Sequence, residues 1–141
     1  MAFELSPSST GKWALTDLCD FEVQFGYSSL PYSNLVFDSM GDLWGTTLQG
    51  GISPGYGGTI FELVFSGGVW NCNQVWNFAG TGGERPAVGA LIFDTSGNLY
   101  GATQDGGANK DGVVFELTPG SMAPGKGRTL FRRSSSIGPR Y

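Results

Sequence analysis

Leu35–Gly51 reads LVFDSMGDLWGTTLQGG, and Leu91–Gly107 reads LIFDTSGNLYGATQDGG. Nine of the seventeen positions are identical without a gap, and four more exchange close relatives: Val36/Ile92, Ser39/Thr95, Asp42/Asn98 and Trp44/Tyr100. Agreement of this kind marks an internal repeat, here of about 55 residues, and a period of that size belongs to arrays built from one supersecondary unit. The match continues downstream. Phe-Glu-Leu recurs at 3–5, 61–63 and 115–117, the later copies inside GGTIFEL and DGVVFEL. A Trp then precedes a Phe by eight residues twice, Trp13 to Phe21 and Trp70 to Phe78, and a proline opens the next unit at Pro31 and Pro86.

Each unit reads as four short strands. The first is Leu35–Phe37 or Leu91–Phe93, the second Leu43–Leu48 or Leu99–Gln104, the third Thr59–Val64 or Val113–Thr118, and the fourth Trp70–Phe78. Along the fourth, period-two alternation places Trp70, Cys72, Gln74, Trp76 and Phe78 on one face. Gly, Asn, Asp or Ser bounds each run, which is the pattern of an antiparallel meander. Four strands in a unit of this size make a propeller blade. The expected fold class is therefore all-β, with antiparallel four-stranded repeat units as β-propeller-like blades. About two and a half units are present, an open or incomplete propeller. The tandem domain spans 1–131, in units of approximately 1–30, 31–85 and 86–131, followed by a basic, disordered tail at 132–141.

The turn between the first two strands has a physical mechanism. In Asp-x-x-Gly-Asp/Asn-Leu, Asp38 and Asp94 accept turn N–H groups, while Gly41 and Gly97, ahead of Asp42 and Asn98, supply the left-handed conformation that closes a type I turn with a bulge. Asp38, Gly41, Asp94, Gly97 and Asn98 are thus structural turn positions. Gly45 and Gly101 lie inside the second strand, where glycine marks a bend or a close backbone approach.

Composition supports a globular β protein: 40% hydrophobic, 14% charged, with 24 glycines that are not in collagen register. No apolar run approaches a membrane span. Residues 1–120 hold all twelve acids against Lys12, Arg85 and Lys110, a net of −9, whereas the last 21 residues hold five bases and no acid, a net of +5. An acidic body argues against nucleic acid as partner. The tail is rich in Ser, Gly and Pro, as disordered segments are. Cys19 and Cys72 form no metal or redox motif and occupy non-equivalent places in the repeat. They are expected as half-buried thiols acting as small hydrophobes, not as a repeated disulfide, and their oxidation state is left open. No signal peptide is expected in this stretch, and that says little of the protein's location, since the stretch opens in the middle of a unit.

The chemistry available is narrow. Without histidine, no Ser-His-Asp, Cys-His or His-metal arrangement can form. The glycine runs at 55–58 and 80–83 lack the lysine and the strand–helix context of a phosphate cradle. Carboxylates remain, but Asp38/Asp94 and Glu4/Glu62/Glu116 are equivalent by repeat, whereas a catalytic pair occurs once. Turn capping for the aspartates and an outward strand position for the glutamates account for them. Asp42, Asp105 and Asp111 lie in loops without calcium-loop spacing. No catalytic residue, metal ligand or cofactor is expected. The regular spacing of Trp44/Tyr100 and Trp13/Trp70 favours packing between blades over stacking on sugars.

FDSMGDLWGTT and FDTSGNLYGAT, each followed by GG, then GTIFEL or GVVFEL, then Trp and Phe, resemble the GloVer tandem repeat over roughly residues 1–131. The resemblance implies a propeller-like fold in an exported bacterial protein with an extracellular or cell-surface location, and no catalytic residues to carry over. The chain departs from the pattern at both ends. It opens at a third strand, and its last unit replaces the Trp segment with GKGRTLFRRSSSIGPRY, where Leu130–Phe131 matches a fourth strand, as a fragment with a frame change would. The expected function is a non-enzymatic extracellular repeat module with a scaffold or binding role toward an unknown protein or glycan, and with self-association through exposed blade edges. The alternative is part of a lactonase- or glycosidase-like propeller hydrolase with acids around a central channel. Three or more unmatched carboxylates converging in one pocket would favour that alternative.

Overall fold

The computed structural model describes residues 1–21, 30–51, 57–86 and 89–119 in full and the backbone of 130–136. Among the described residues the regular elements are eleven strands and one 3-10 turn at Gly80–Gly82. The strands are β1 (Ala2–Pro7), β2 (Trp13–Cys19), β3 (Val36–Phe37), β4 (Leu43–Thr47), β5 (Thr59–Ser66), β6 (Val69–Asn77), β7 (Glu84–Pro86), β8 (Ile92–Phe93), β9 (Leu99–Asp105), β10 (Val113–Pro119) and β11 (Leu130–Ser136). They form three sheets: β1-β2, the meander β3-β4-β5-β6, and β11-β10-β9 with both β7 and β8 on the remaining side of β9. Every named pairing is antiparallel. The protein is all-β and antiparallel.

The sequence periods explain the strands. Phe-Glu-Leu falls in β1, β5 and β10, where Phe61, Leu63, Phe115 and Leu117 are buried and Glu62 and Glu116 point to the opposite face. The second strands place Leu43 and Leu99 inward. Pro31 bridges Thr47, and Pro86 in β7 pairs with Thr103. A proline suits both places, because each lies on a strand edge where a missing N–H is tolerated.

Alternation fails at one point along β6. Ile60 pairs with Trp76 but Phe61 pairs with Gln74, so Val75 is an extra residue. The bulge turns Trp76 to the face opposite Gln74, which corrects the expectation of a single face from Trp70 to Phe78. Trp70 and Cys72 pack on one core, with Ala2, Leu18, Cys19, Phe21, Leu43, Phe61 and Leu63. Trp76 and Phe78 join the other, with Trp44, Ile60, Leu91, Leu99, Phe115 and Leu117. One core thus lies between the first two sheets and the other between the second and third. A matching shift occurs in β1–β2, where Ala2 pairs with Cys19 and Phe3 with Asp17, leaving Leu18 as the extra residue.

Cys19 and Cys72 are joined in a disulfide, with a Cα–Cα distance of 5.7 Å. The expectation of two thiols behaving as small hydrophobes is therefore corrected. Both sulfurs do sit in a core, but they clip β2 to β6 across the first inter-sheet interface. Their places within their own sheets differ: Cys19 is the partner of Ala2 and Cys72 the partner of Leu63. A cross-link between two successive sheets needs one residue from each apposed face, so non-equivalent positions are what it requires.

β11 pairs with β10 from Pro119↔Leu130 to Val113↔Ser136. The strand therefore takes in 132–136, which the sequence assigns to a disordered tail. The rest of that tail, 137–141, lies outside the described residues.

Candidate functional site

The two Asp-x-x-Gly turns are each held by a matched set of hydrogen bonds. Asp38 Oδ1 accepts the backbone N–H of Met40 at 2.8 Å and of Asp42 at 3.1 Å. Asp94 Oδ1 accepts those of Ser96 and Asn98, both at 2.8 Å. The backbone closes each turn in the same way. Gly41 N–H donates to Asp38 O and Asp38 N–H to Asp42 O, as Gly97 N–H does to Asp94 O and Asp94 N–H to Asn98 O. Gly41 and Gly97 take φ of +89° and +82°, a region that side chains resist. Asp38, Gly41, Asp94, Gly97 and Asn98 thus stand within the turns. Asp38, Asp94 and Gly97 also line a shared cleft of about 340 Å³ with Phe93 and Pro119.

The second oxygen of each aspartate faces an aromatic donor. Trp44 Nε1–H donates to Asp38 Oδ2 at 3.3 Å, and the Tyr100 hydroxyl lies 3.2 Å from Asp94 Oδ2. The Trp/Tyr exchange between the two segments thus keeps an aromatic donor beside each aspartate. Strand register adds a glutamate to each site, since Glu62 lies opposite Trp44 and Glu116 opposite Tyr100.

From there the sites diverge. Around Asp38, carboxylate oxygens of Asp38, Asp42 and Glu62 all fall within 4.8 Å of one another. Around Asp94, Asn98 replaces the middle acid, and its amide donates to Asp94 Oδ2 at 2.7 Å. The Tyr100 hydroxyl also lies 3.0 Å from Glu116 Oε1. The Asp94 carboxyl is held below its usual value, first by the Asn98 side-chain amide and then by the Asn98 backbone N–H. Tyr100 is pushed above 10.0, chiefly because its hydroxyl donates to Glu116.

Three carboxylates are hard oxygen donors of the sort that calcium and magnesium prefer, yet calcium takes six to eight oxygens. Asp38 already spends Oδ1 on two turn N–H groups and Oδ2 on Trp44. The arrangement therefore serves first as a clamp on the turn. The place of Glu62 beside Asp38 and Asp42 is absent from the sequence-based expectations. Strand register, which puts Glu62 opposite Trp44, is the signal that finds it.

A second cleft, of about 510 Å³, is lined by Gly80, Thr81, Glu84, Lys110 and Asp105 with its following glycines. Arg85 makes an ion pair with Asp105, while its neighbour Glu84 accepts the N–H of Gly80 at 2.9 Å. The cleft therefore gathers two acids that each have a donor, short of the three converging carboxylates that a hydrolase site was expected to show. Asp111 is not among its lining residues.

Two threonines outside the sequence-based expectations tie the second strand to the third. Thr47 Oγ1 donates to Gln49 O at 2.7 Å and accepts Thr59 N–H at 3.0 Å, and Thr103 Oγ1 makes the matching bonds to Asp105 O and Val113 N–H. An identical polar residue at a buried strand position in both segments was the available signal. Trp44 is fully buried and packs between sheets, whereas Trp13 is exposed. No family model, curated protein or solved structure matches the chain.

Proposed function

We propose that the chain is a non-enzymatic, propeller-type repeat module of the GloVer kind, placed outside the cell or on its surface, where it acts as a scaffold or binds a protein or glycan. The observation that carries this is the matched hydrogen bonding at Asp38 and Asp94. Acids that do the same mechanical work in two places are structural parts, whereas catalysis concentrates its groups once. Equivalent turns, a shared Phe-Glu-Leu strand and successive sheets joined by similar cores support reading the sheets as units of one array. The disulfide suits an oxidising compartment. Loop clefts and the exposed Trp13 and Tyr32 offer surface for a ligand.

The test separates scaffold from hydrolase. Purified chain is expected to turn over none of a panel of lactones, aryl esters and aryl glycosides. The Asp38→Asn and Asp94→Asn variants should lose thermal stability only. Turnover that disappears in a folded Asp38→Asn, Glu84→Gln or Asp105→Asn variant would sink the scaffold proposal. Location is checked separately: chain recovered after export should show no thiol reactive to a maleimide, and reactive thiols there would argue against an extracellular setting.

A further inference from the structure

A tandem array repeats its structural residues, so polar residues that occur in one segment only stand apart from the scaffold. Glu84, Arg85, Asp105 and Lys110 are such residues, and they meet around the cleft between the 79–84 connection and the β9–β10 loop. Glu84 and Arg85 stand before Pro86 where Ser29 and Leu30 stand before Pro31, and Asp105 stands where Gln49 does. Lys110 lies in a loop, 108–111, whose earlier counterpart 52–57 carries no charge. Glu84, Asp105 and Lys110 line the cleft with Thr81, and Arg85 holds Asp105. The backbone singles out the same place. Among the described residues only Arg85 and Lys110 take a positive φ without being glycine, at +52° and +64°. That conformation costs free energy in a residue with a side chain, and such strain gathers at ligand sites. The two walls are also fixed to each other. Gly107 N–H donates to Gly80 O at 3.3 Å, and a Cβ at Gly106 would sit 2.5 Å from Gly80 O. The cleft is preformed, so binding need not order a loop first.

We infer that this cleft binds a neutral saccharide, a ring or two at the end of a glycan. The inference rests on the repeat-module proposal above and narrows its ligand. The charges cancel before a ligand arrives. Arg85 neutralises Asp105, and the Lys110 ammonium, which makes no ion pair among the described residues, offsets Glu84 from the facing wall. A cation would meet Lys110 and an anion would meet Glu84, so neither is favoured. What remains is hydrogen bonding. Glu84 uses Oε1 on Gly80 N–H and Asp105 uses Oδ2 on Arg85. Glu84 Oε2 and Asp105 Oδ1 therefore have no partner among the described residues, and each is held in place by the bond of its twin oxygen. They are acceptors, to which the Thr81 hydroxyl and the Lys110 ammonium add donors. A sugar hydroxyl both donates and accepts, so adjacent ring hydroxyls suit a cleft that offers both. A volume of about 510 Å³ is that of a small-ligand site and suits a mono- or disaccharide.

The probes are diacetylchitobiose, cellobiose, maltose and lactose, each titrated into the full disulfide-bonded chain and followed by amide NMR. At least one is expected to shift the amides of Thr81, Gly107 and Lys110 saturably, with millimolar affinity or better. Thr81→Val removes a donor at an exposed position, and Glu84→Gln turns an acceptor into a donor; each should weaken that binding at least severalfold. Lys110→Gly separates a ligand role from a structural one. It should weaken binding severalfold without lowering the melting temperature, because glycine takes the positive φ without strain. No saturable shift at these amides from any probe, or binding unchanged by all three substitutions, overturns the inference. Equal shifts from γ-aminobutyrate, a zwitterion without hydroxyls, would also overturn it and assign the cleft to a charged guest. Binding without turnover upholds both this inference and the module proposal. Turnover of a bound sugar in the assay above would overturn only the module proposal, and absence of binding only the saccharide cleft.

Discussion

Neighbouring threonines in β4 have opposite accounts. Thr46 Oγ1 is buried without a hydrogen-bond partner among the described residues, whereas Thr47 Oγ1, equally buried, holds the N–H of Thr59. An unsatisfied buried hydroxyl is a cost, and a buried N–H stripped of its acceptor is a larger one. Thr46→Val is therefore expected to stabilise the chain by about 1 kcal/mol and Thr47→Val to destabilise it by about 2 kcal/mol. Urea titration of both variants checks this, and equal shifts of one sign would refute it. The Asp94–Tyr100–Glu116 group has a pH signature. Asp94 titrates below its usual value when folded. Its stabilising contribution is thus present above the unfolded value of about 3.9 and lost as pH falls through the folded one. Tyr100 titrates above 10.0 when folded, so its contribution is complete below that value and lost as pH rises through the folded one. The stability difference between wild type and Tyr100→Phe should shrink as pH rises above 10.0. A difference that stays flat or grows over that range would show that the hydroxyl does not act as a donor.

Strands with clear period-two alternation and turns with Gly and Asp were legible in advance: the observed bounds of β4, β5 and β10 differ from the expected ones by a few residues at most. What was not legible has specific physical causes. The bulge at Val75 adds one residue without any marker in the sequence, and it alone redistributes Trp70 and Trp76 between two cores. The cysteine pairing depends on which face of β2 meets which face of β6, and comparing equivalent positions hides it. Glu62 joins Asp38 and Asp42 only once register is known. The disulfide has a measurable weight. It closes a loop with a sequence separation of 53 residues, for which chain entropy gives about 4 kcal/mol. Cys19→Ser with Cys72→Ser should lower stability by up to about that amount. The inner strands have their own sensitivity. Gly45→Ala drives a methyl into the Phe61 ring, and Gly101→Ala does the same at Phe115, each expected to cost about 1–3 kcal/mol. Thermal or chemical denaturation settles both; an alanine tolerated at either glycine would mean that the phenylalanine ring moves aside.

The three sheets stack with the faces of the middle one covered on both sides, and the outer two are left half-dressed. Phe3, Leu5, Trp13 and Leu15 are exposed on one face of the first sheet. By register they hold the places that Phe61, Leu63, Trp70 and Cys72 fill in the second, where a preceding sheet buries them. At the other end Ile92 and Val114 are exposed in the third sheet, while their counterparts Val36 and Ile60 pack beneath it in the second. The chain thus carries both halves of its own inter-sheet interface, one at each end. Such a contact is head-to-tail, and head-to-tail contacts close into rings or run on as filaments; they do not stop at a symmetric pair. Self-association should therefore rise with concentration without settling at a dimer. It should weaken strongly in Trp13→Ser with Leu15→Ser, substitutions at exposed positions that leave the cores untouched. It should weaken comparably in Ile92→Ser with Val114→Ser, because removing either half removes the contact. Sedimentation velocity from about ten to several hundred micromolar distinguishes the outcomes. Loss of association in the first double variant alone would assign the contact to a symmetric pairing of first sheets, and a monomer throughout would show that neither face binds its counterpart.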